Sequence, residues 1–294
     1  MIKNIKKNAF LIWTLLPAIL FLLGFFAVII FYLLQLSLTV FDGGLASGTG
    51  VDNFLMLAKS EEFWDAFLRT FYFVIIATPL QLVSGMIIAM LINKEFTGRG
   101  VIRSVFLLPM AIPTIVTTSI LLLMFSKGGH VTSLLTGQYM FFPQLMDYEV
   151  SFISSEPLAI GLAIFGKVWR DTPISMLILL SGLQSIGSDQ YEAAKTMGSS
   201  AIQSFGFITV PSMLPAISSV LVLRSIEAWK EFIFPYILAP SFPVLGVLIE
   251  KYYIQLQNPG VSAAIGIILV VVILISTFVL NKALKYLNKI LVRA

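Results

Sequence analysis

Seven ionisable residues stand in stretches otherwise too apolar to hold them: Lys167, Arg170 and Asp171 in one, Arg224, Glu227, Lys230 and Glu231 in another. In hydrocarbon each such charge costs about 2.5–3.5 kcal/mol on insertion scales, so these groups face a cavity, a partner or one another. Two chemistries suit them. They form an ion network that clamps two helices together, or with Trp169 they line a path for a hydroxyl-rich solute, which needs hydrogen-bonding groups and aromatic faces. Arg224 with Glu227 and Glu227 with Lys230 are i, i+3 pairs on one helical face, and a cross-helix pair such as Arg170 with Glu227 is within reach. Four cations against three carboxylates leave a surplus of one positive charge, which argues against a highly charged open path.

Other chemistries lack their residues. The chain has no cysteine, so disulfides, thiolate metal sites and cysteine nucleophiles are excluded. Its one histidine, His130, lies beside Gly128 and Gly129 and reads as a solvated turn residue. Asp147 and Glu149 lack a ligand-spaced calcium loop, and no metal site or catalytic residue is expected. The one Gly-Lys pair, Gly166-Lys167, continues with Val168 rather than Ser or Thr, so no P-loop cradles nucleotide phosphates here.

The elements that hold these residues follow from composition. Charged residues make up 12% of the 294 and hydrophobic ones 58%, with a mean hydropathy of +0.95. A soluble domain carries roughly 25% charge, so a soluble enzyme is excluded, and the aromatic content excludes disorder. Spans of ~20 apolar residues fit at Asn8–Phe41, Thr70–Asn93, Ser104–Ser126, Leu158–Gly182, Ser212–Leu238 and Val261–Asn281, six in all. The first far exceeds the ~7–15 residues of a cleavable signal and reads as an anchor. Lys3, Lys6, Lys7, Lys94, Arg99, Arg103, Lys195, Lys282, Lys285, Lys289 and Arg293 share the side of the N-terminus, against Lys59, Arg69, Lys127 and Lys251 on the other. Positive residues favour the cytoplasm, so both termini are expected there. Pro79, Pro109, Pro113 and Pro173 are expected to kink their spans.

The cytoplasmic connection of about 183–211 is long and nearly uncharged. Asp189 and Glu192 have the spacing of a capping box. Tyr191, Ala194, Gly198, Ala201, Phe205 and Ile208 recur at helical spacing and would share one face, unless Gly198 breaks the helix in two. Pro211 suits the first turn of the next helix. An ordered cytoplasmic helix with little basic character invites a partner protein rather than the lipid surface.

Glu192-Ala193-Ala194, Gly198, Ile208 and Val210-Pro211 closely resemble, in type and spacing, the EAA signature of permease subunits of binding-protein-dependent ABC importers. Val210 replaces the usual Leu, and Met197 the frequent acidic residue before Gly198. Phe96-Thr97-Gly98-Arg99-Gly100, Arg103, Leu107-Leu108-Pro109, Ile112-Pro113, Trp169, Pro173, Gly182-Leu183-Gln184, Arg224-Ser225-Ile226, Glu231-Phe232 and Gly260 with Ala263-Ala264 resemble the carbohydrate subgroup of maltose and glycerol-phosphate permeases. Ala239-Pro240-Ser241-Phe242-Pro243 departs from that subgroup's Thr-x-Gly-Gly-Pro stretch.

The resemblance implies an all-α polytopic membrane protein of six transmembrane helices, with a cytoplasmic coupling helix between spans four and five, as in type I ABC importer permeases. It divides the chain into an anchor span with external loop (1–68), a permease core (69–285) and a cytoplasmic tail (286–294). Glu192, Ala193, Ala194, Gly198, Ile208 and Pro211 are then the residues that couple to an ATPase. The chain is expected to be no enzyme and to bind no cofactor itself; ATP and Mg are handled by two copies of a cytoplasmic ATPase. A second, different permease subunit, an extracytoplasmic solute-binding protein and membrane lipid complete the partners, with no nucleic acid. The cargo is a sugar or similar polar solute, with a polyamine or phosphate ester as alternatives, and the location is the inner membrane. An ion-coupled secondary transporter would place charges in both halves of the chain, and spans one to three carry none to match.

Overall fold

The computed structural model describes residues 2–42, 44–139, 141–147 and 151–291; Glu149 and Arg293 lie outside them, as do the side chains of Lys3, Lys6 and Lys7. Helix α1 (Ile2–Leu38) leads into an antiparallel hairpin, β1 (Thr39–Asp42) and β2 (Leu45–Thr49), and then α2 (Asp52–Lys59). Next come α3 (Glu61–Asn93), α4 (Arg99–Ala111), α5 (Thr114–Phe125), α6 (His130–Leu135) and α7 (Glu156–Gln184). After these lie α8 (Ser188–Thr196), α9 (Ala201–Ser204), a π-helical turn at Phe205–Thr209 and α10 (Val210–Trp229). The chain closes with α11 (Ile233–Leu238), α12 (Leu245–Glu250), a π-helical turn at Lys251–Gln255 and α13 (Pro259–Leu291).

Among the described residues, five helical stretches are long and apolar enough to cross a membrane: Trp13–Leu38, Glu61–Asn93, Thr114–Leu135, Ala201–Trp229 and Pro259–Lys289. The expected fourth span, α7, has the length, 29 residues, but Lys167, Arg170 and Asp171 interrupt its apolar run. The expected third span is divided. A residue before proline is pushed out of the α region, and Ile112 before Pro113 is extended (φ −83°, ψ 130°), which ends α4. The expected fifth span stops short of Leu238: α10 ends at Trp229 and Phe232 leaves helical space (φ −132°) before α11. Pro79, Pro109 and Pro173 lie inside continuous helices. Beyond residue 285, α13 continues to Leu291.

Two compact units are present. One holds the chain up to Ser60 together with Ile249–Ile268. Within it the buried Asn53 amide donates to the carbonyls of Ser37 (2.8 Å) and Thr39 (2.9 Å), tying α2 to the end of α1. Ser262 Oγ donates to the Ile249 carbonyl (2.9 Å). Phe21, Leu23 and Phe31 of α1 stand exposed, as suits a helix clothed by lipid.

The other unit holds Glu61–Leu248 and the chain from Leu269 onward. Its core is α3 against α7, with α10 alongside: Ala89, Ile92, Met176, Leu179, Leu180, Leu183, Met213 and Val220 form one buried cluster. Small residues let these backbones approach, as membrane helices require where no hydrophobic drive separates protein from lipid. A Cβ at Gly85 of α3 would meet Ser175 Cβ of α7 at 2.9 Å, and one at Gly182 would meet Ala216 Cβ of α10 at 2.7 Å. Gly166 of α7 likewise admits the Phe234 ring of α11.

Candidate functional site

The connection between α7 and α10 is ordered and broken where glycine allows it. Gly198 takes a positive φ of 81°; its N–H bonds to the Lys195 carbonyl (3.0 Å) and that of Ser199 to the Ala194 carbonyl (2.9 Å), a left-handed termination of α8. The expected single face over 191–208 is therefore split, and Tyr191 instead reaches across the turn to the Thr209 hydroxyl (2.9 Å). The expected capping box at Asp189 and Glu192 does not form. Asp189 lies inside the first turn, and the N-cap is Gly187, with no side-chain bond. The capping box belongs to Ser200 and Gln203 at the next helix. From Ala201 to Trp229 the helix is continuous, with Pro211 in the first turn of α10 just after the π-helical turn.

This segment carries large apolar side chains on its outer surface. Met197 is 87% exposed, Ile202 85% and Phe207 74%. Glu192, Ala193 and Gly198 are exposed beside them, whereas Ala194 and Ile208 are half-buried. Composition alone hides the three large apolar residues, because their exposure depends on the break at Gly198.

The charges of α7 and α10 meet as one cluster. Lys167 Nζ lies 2.9 Å from Asp171 Oδ2 and 2.6 Å from Glu231 Oε2. Arg170 Nη1 reaches Asp171 Oδ1 (2.8 Å), so its partner is its chain neighbour rather than Glu227. Arg224, 1% exposed, reaches Glu227 (2.8 Å) and approaches Asp171 across the helices (3.8 Å). Glu231 has a second duty, accepting the N–H groups of Phe232 (3.2 Å) and Phe234 (3.4 Å) where α11 starts. Lys230 does not pair with Glu227; it is exposed at the end of α10, because the helix closes there and Glu231 turns inward. Ser212 and Ser219 are exposed and Glu227 is half-buried; at 100° per residue they share one face of α10 with the exposed Leu223 and the half-buried Ile226.

Trp169 is 43% exposed on α7. With Phe165 it separates a cavity of about 240 Å3, which holds Ser84 and Thr172, from one of about 220 Å3, which holds Thr117 beside the α4–α5 break. The Thr117 hydroxyl is buried and has no hydrogen-bond partner. Phe232 and Tyr236 stack at 4.9 Å, and Tyr236 is exposed. His130 is exposed, and its Nδ1 lies 3.2 Å from the Tyr139 hydroxyl.

Residues 81–289 match the model of the family described as binding-protein-dependent transport system inner membrane component. The chain is 30% identical to the trehalose/maltose transport system permease protein MalF of Thermococcus litoralis, over 81% of this chain and 80% of that one. It is 24% identical to the trehalose transport system permease protein SugA of Mycobacterium tuberculosis, over 90% and 85%. Its fold matches a chain of a bacterial alginate ABC transporter, solved in complex with an alginate pentasaccharide-bound periplasmic protein. The TM-score is 0.78 at 22% identity, covering 98% of each chain.

Proposed function

This chain belongs to the family of binding-protein-dependent transport system inner membrane components, and from that premise we propose that it supplies half of a membrane pathway for a sugar or similar polar solute. A separate cytoplasmic ATPase drives it, in two copies, and ATP and Mg act there. A second permease subunit completes the pathway, and a solute-binding protein delivers cargo from outside. The sugar reading draws on the relatives named for trehalose and maltose and on the exposed rings of Trp169 and Tyr236, which suit the faces of a saccharide. Basic residues gathered on the side of the N-terminus support cytoplasmic termini.

The observation that carries the proposal is the apolar surface of Met197, Ile202 and Phe207 on the turn between α8 and α10, next to Glu192 and Ala193. Exposed large apolar side chains on a turn expected in the cytoplasm mark a protein contact, and here they adjoin and begin the continuous helix from Ala201 to Trp229. Closure of an ATPase pair would push α8 and, through the continuous helix from Ala201, move α10. Gly198, Ile208 and Pro211 shape the turn; Ala193 and Ala194 allow close approach.

Co-expression with the neighbouring genes and purification through a tag on this chain tests the reading. An ATPase co-elutes with the wild type and is lost with Glu192→Lys or Ala193→Trp, while the chain stays folded in detergent. Transport by the chain alone, indifferent to both changes, would overturn it.

A further inference from the structure

We propose that Arg224 is a positioning residue for transport, which reads the movement of α10 by exchanging its partner Glu227 for Asp171; this rests on the importer reading above. Arg224 is 1% exposed. Its Nη1 lies 2.8 Å from Glu227 Oε2 on its own helix and 3.8 Å from Asp171 Oδ2 on α7. Neither Nε nor Nη1 makes a hydrogen bond, so the 2.8 Å contact is close but poorly aligned. A buried guanidinium with loose donors calls for a physical account, and a second resting place for it supplies one. Lys167, by contrast, is held at 2.9 Å by Asp171 and at 2.6 Å by Glu231.

Both arrangements are tolerable to the carboxylates. The Glu227 side chain is 31% exposed and that of Asp171 only 6%. A carboxylate at a partly open site can stand without its cation, whereas a buried one left alone is uncompensated. Asp171 keeps Lys167 and Arg170 while Arg224 stands off, and gains a third donor when it arrives. Shortening 3.8 Å to 2.8 Å takes about 1 Å, and packed helices shift by about 1–2 Å in such transitions.

The lever that supplies this shift is α10 itself. It packs closely on α7 at Gly182, where a Cβ would meet Ala216 Cβ at 2.7 Å, and the helix is continuous from Ala201 to Trp229. Ala201 lies fifteen residues to one side of Ala216 and Arg224 eight to the other. At 1.5 Å per residue these arms are about 22 Å and 12 Å. With Gly182 and Ala216 as the pivot, a displacement of about 2 Å that carries the docking turn away from α7 brings Arg224 about 1 Å nearer to it.

The test uses the complex purified with its ATPase. Electron cryomicroscopy of the wild type, without nucleotide and after trapping with ATP and vanadate, locates the guanidinium in each state. Arg224 is expected beside Glu227 in the first and beside Asp171 in the second. Loss of the resting partner favours the second arrangement, so Glu227→Gln is expected to raise ATP hydrolysis in the absence of solute by at least about fivefold. Glu227→Asp, which keeps a carboxylate, stays near the wild-type rate. A pair that only holds the helices together would instead give a lower melting temperature with Glu227→Gln and an unchanged rate. That result, or Arg224 on the same carboxylate in both states, overturns the proposal. A chain that holds no ATPase defeats the importer reading instead, so the two failures are distinguishable.

Discussion

Lys167 Nζ stands 2.6 Å from Glu231 Oε2, joining the middle of α7 to the turn that ends α10. The same carboxylate accepts the N–H groups of Phe232 and Phe234. One side chain therefore neutralises a buried ammonium and closes backbone donors that the broken helix would otherwise leave bare inside a membrane, where every backbone polar group must be satisfied. The break in α10 and the charge on α7 explain each other.

Removing one member of that pair leaves the other charged and buried. Lys167→Met is expected to destabilise the chain by about 3–5 kcal/mol, whereas Lys167→Met with Glu231→Gln recovers a large part of the loss. Gln keeps an acceptor for the Phe232 and Phe234 N–H groups, so the double variant tests the charge separately from the cap. Thermal unfolding of the four proteins in one detergent gives the coupling; additive losses would show that the contact carries no energy of its own.

The exposed apolar trio separates docking from folding. Phe207→Asp and Ile202→Asp touch side chains that are 74% and 85% exposed, so stability is expected to change by no more than about 0.5 kcal/mol. Retention of the ATPase on the purified chain is expected to fall by tenfold or more. A large fall in melting temperature with either change would mean that these residues hold the fold rather than a partner.

Gly198 has a backbone cost and no steric one. Its φ is 81°, and a Cβ there would meet nothing within 4 Å. Gly198→Val should cost more than about 1 kcal/mol, since a β-branched residue is strained in the left-handed region, and Gly198→Asn should cost less, because Asn visits that region. If the loop alone is affected, ATP hydrolysis uncoupled from solute uptake rises in Val and stays near wild type in Asn. Equal behaviour of the two would place the effect outside backbone conformation.

How much of this was legible beforehand depends on the range of the interaction involved. The spans with clean apolar runs and the helix break at Gly198 follow from local chemistry and were readable. So was the division at Pro113, in the sense that a proline had to disturb the helix there. The pairing of charges was readable only in part: Arg224 meets Glu227 as the i, i+3 spacing announces, but Arg170 chose its neighbour Asp171, and Glu231 chose Lys167, because the end of α10 at Trp229 turned Glu231 inward. That turn is a tertiary event with no helical spacing to announce it. The capping box failed similarly. Asp189 and Glu192 have the right separation, but Gly187 supplies the extended residue at the start of α8 and leaves Asp189 two residues too deep.

Close helix packing gives the last prediction, and two glycines of α3 and α7 make it comparative. A methyl at Gly85 would meet Ser175 Cβ at 2.9 Å and the Met176 backbone nitrogen at 3.0 Å. Neither atom can move without shifting α7 away from α3. A methyl at Gly166 would meet Leu121 Cδ1 at 2.6 Å and the Phe234 ring at 2.7 Å, which are closer contacts but belong to side chains that can rotate. Rigid neighbours make overpacking expensive, typically by about 1–3 kcal/mol, so Gly85→Ala is expected to destabilise more than Gly166→Ala despite its longer distances. The second change should act on function, because displacing Phe234 moves α11, whose start Glu231 holds. Melting temperature is therefore expected to fall chiefly in Gly85→Ala and solute-dependent ATP hydrolysis chiefly in Gly166→Ala. The reverse order in either measurement would show that contact distance, not the mobility of the neighbour, decides the cost.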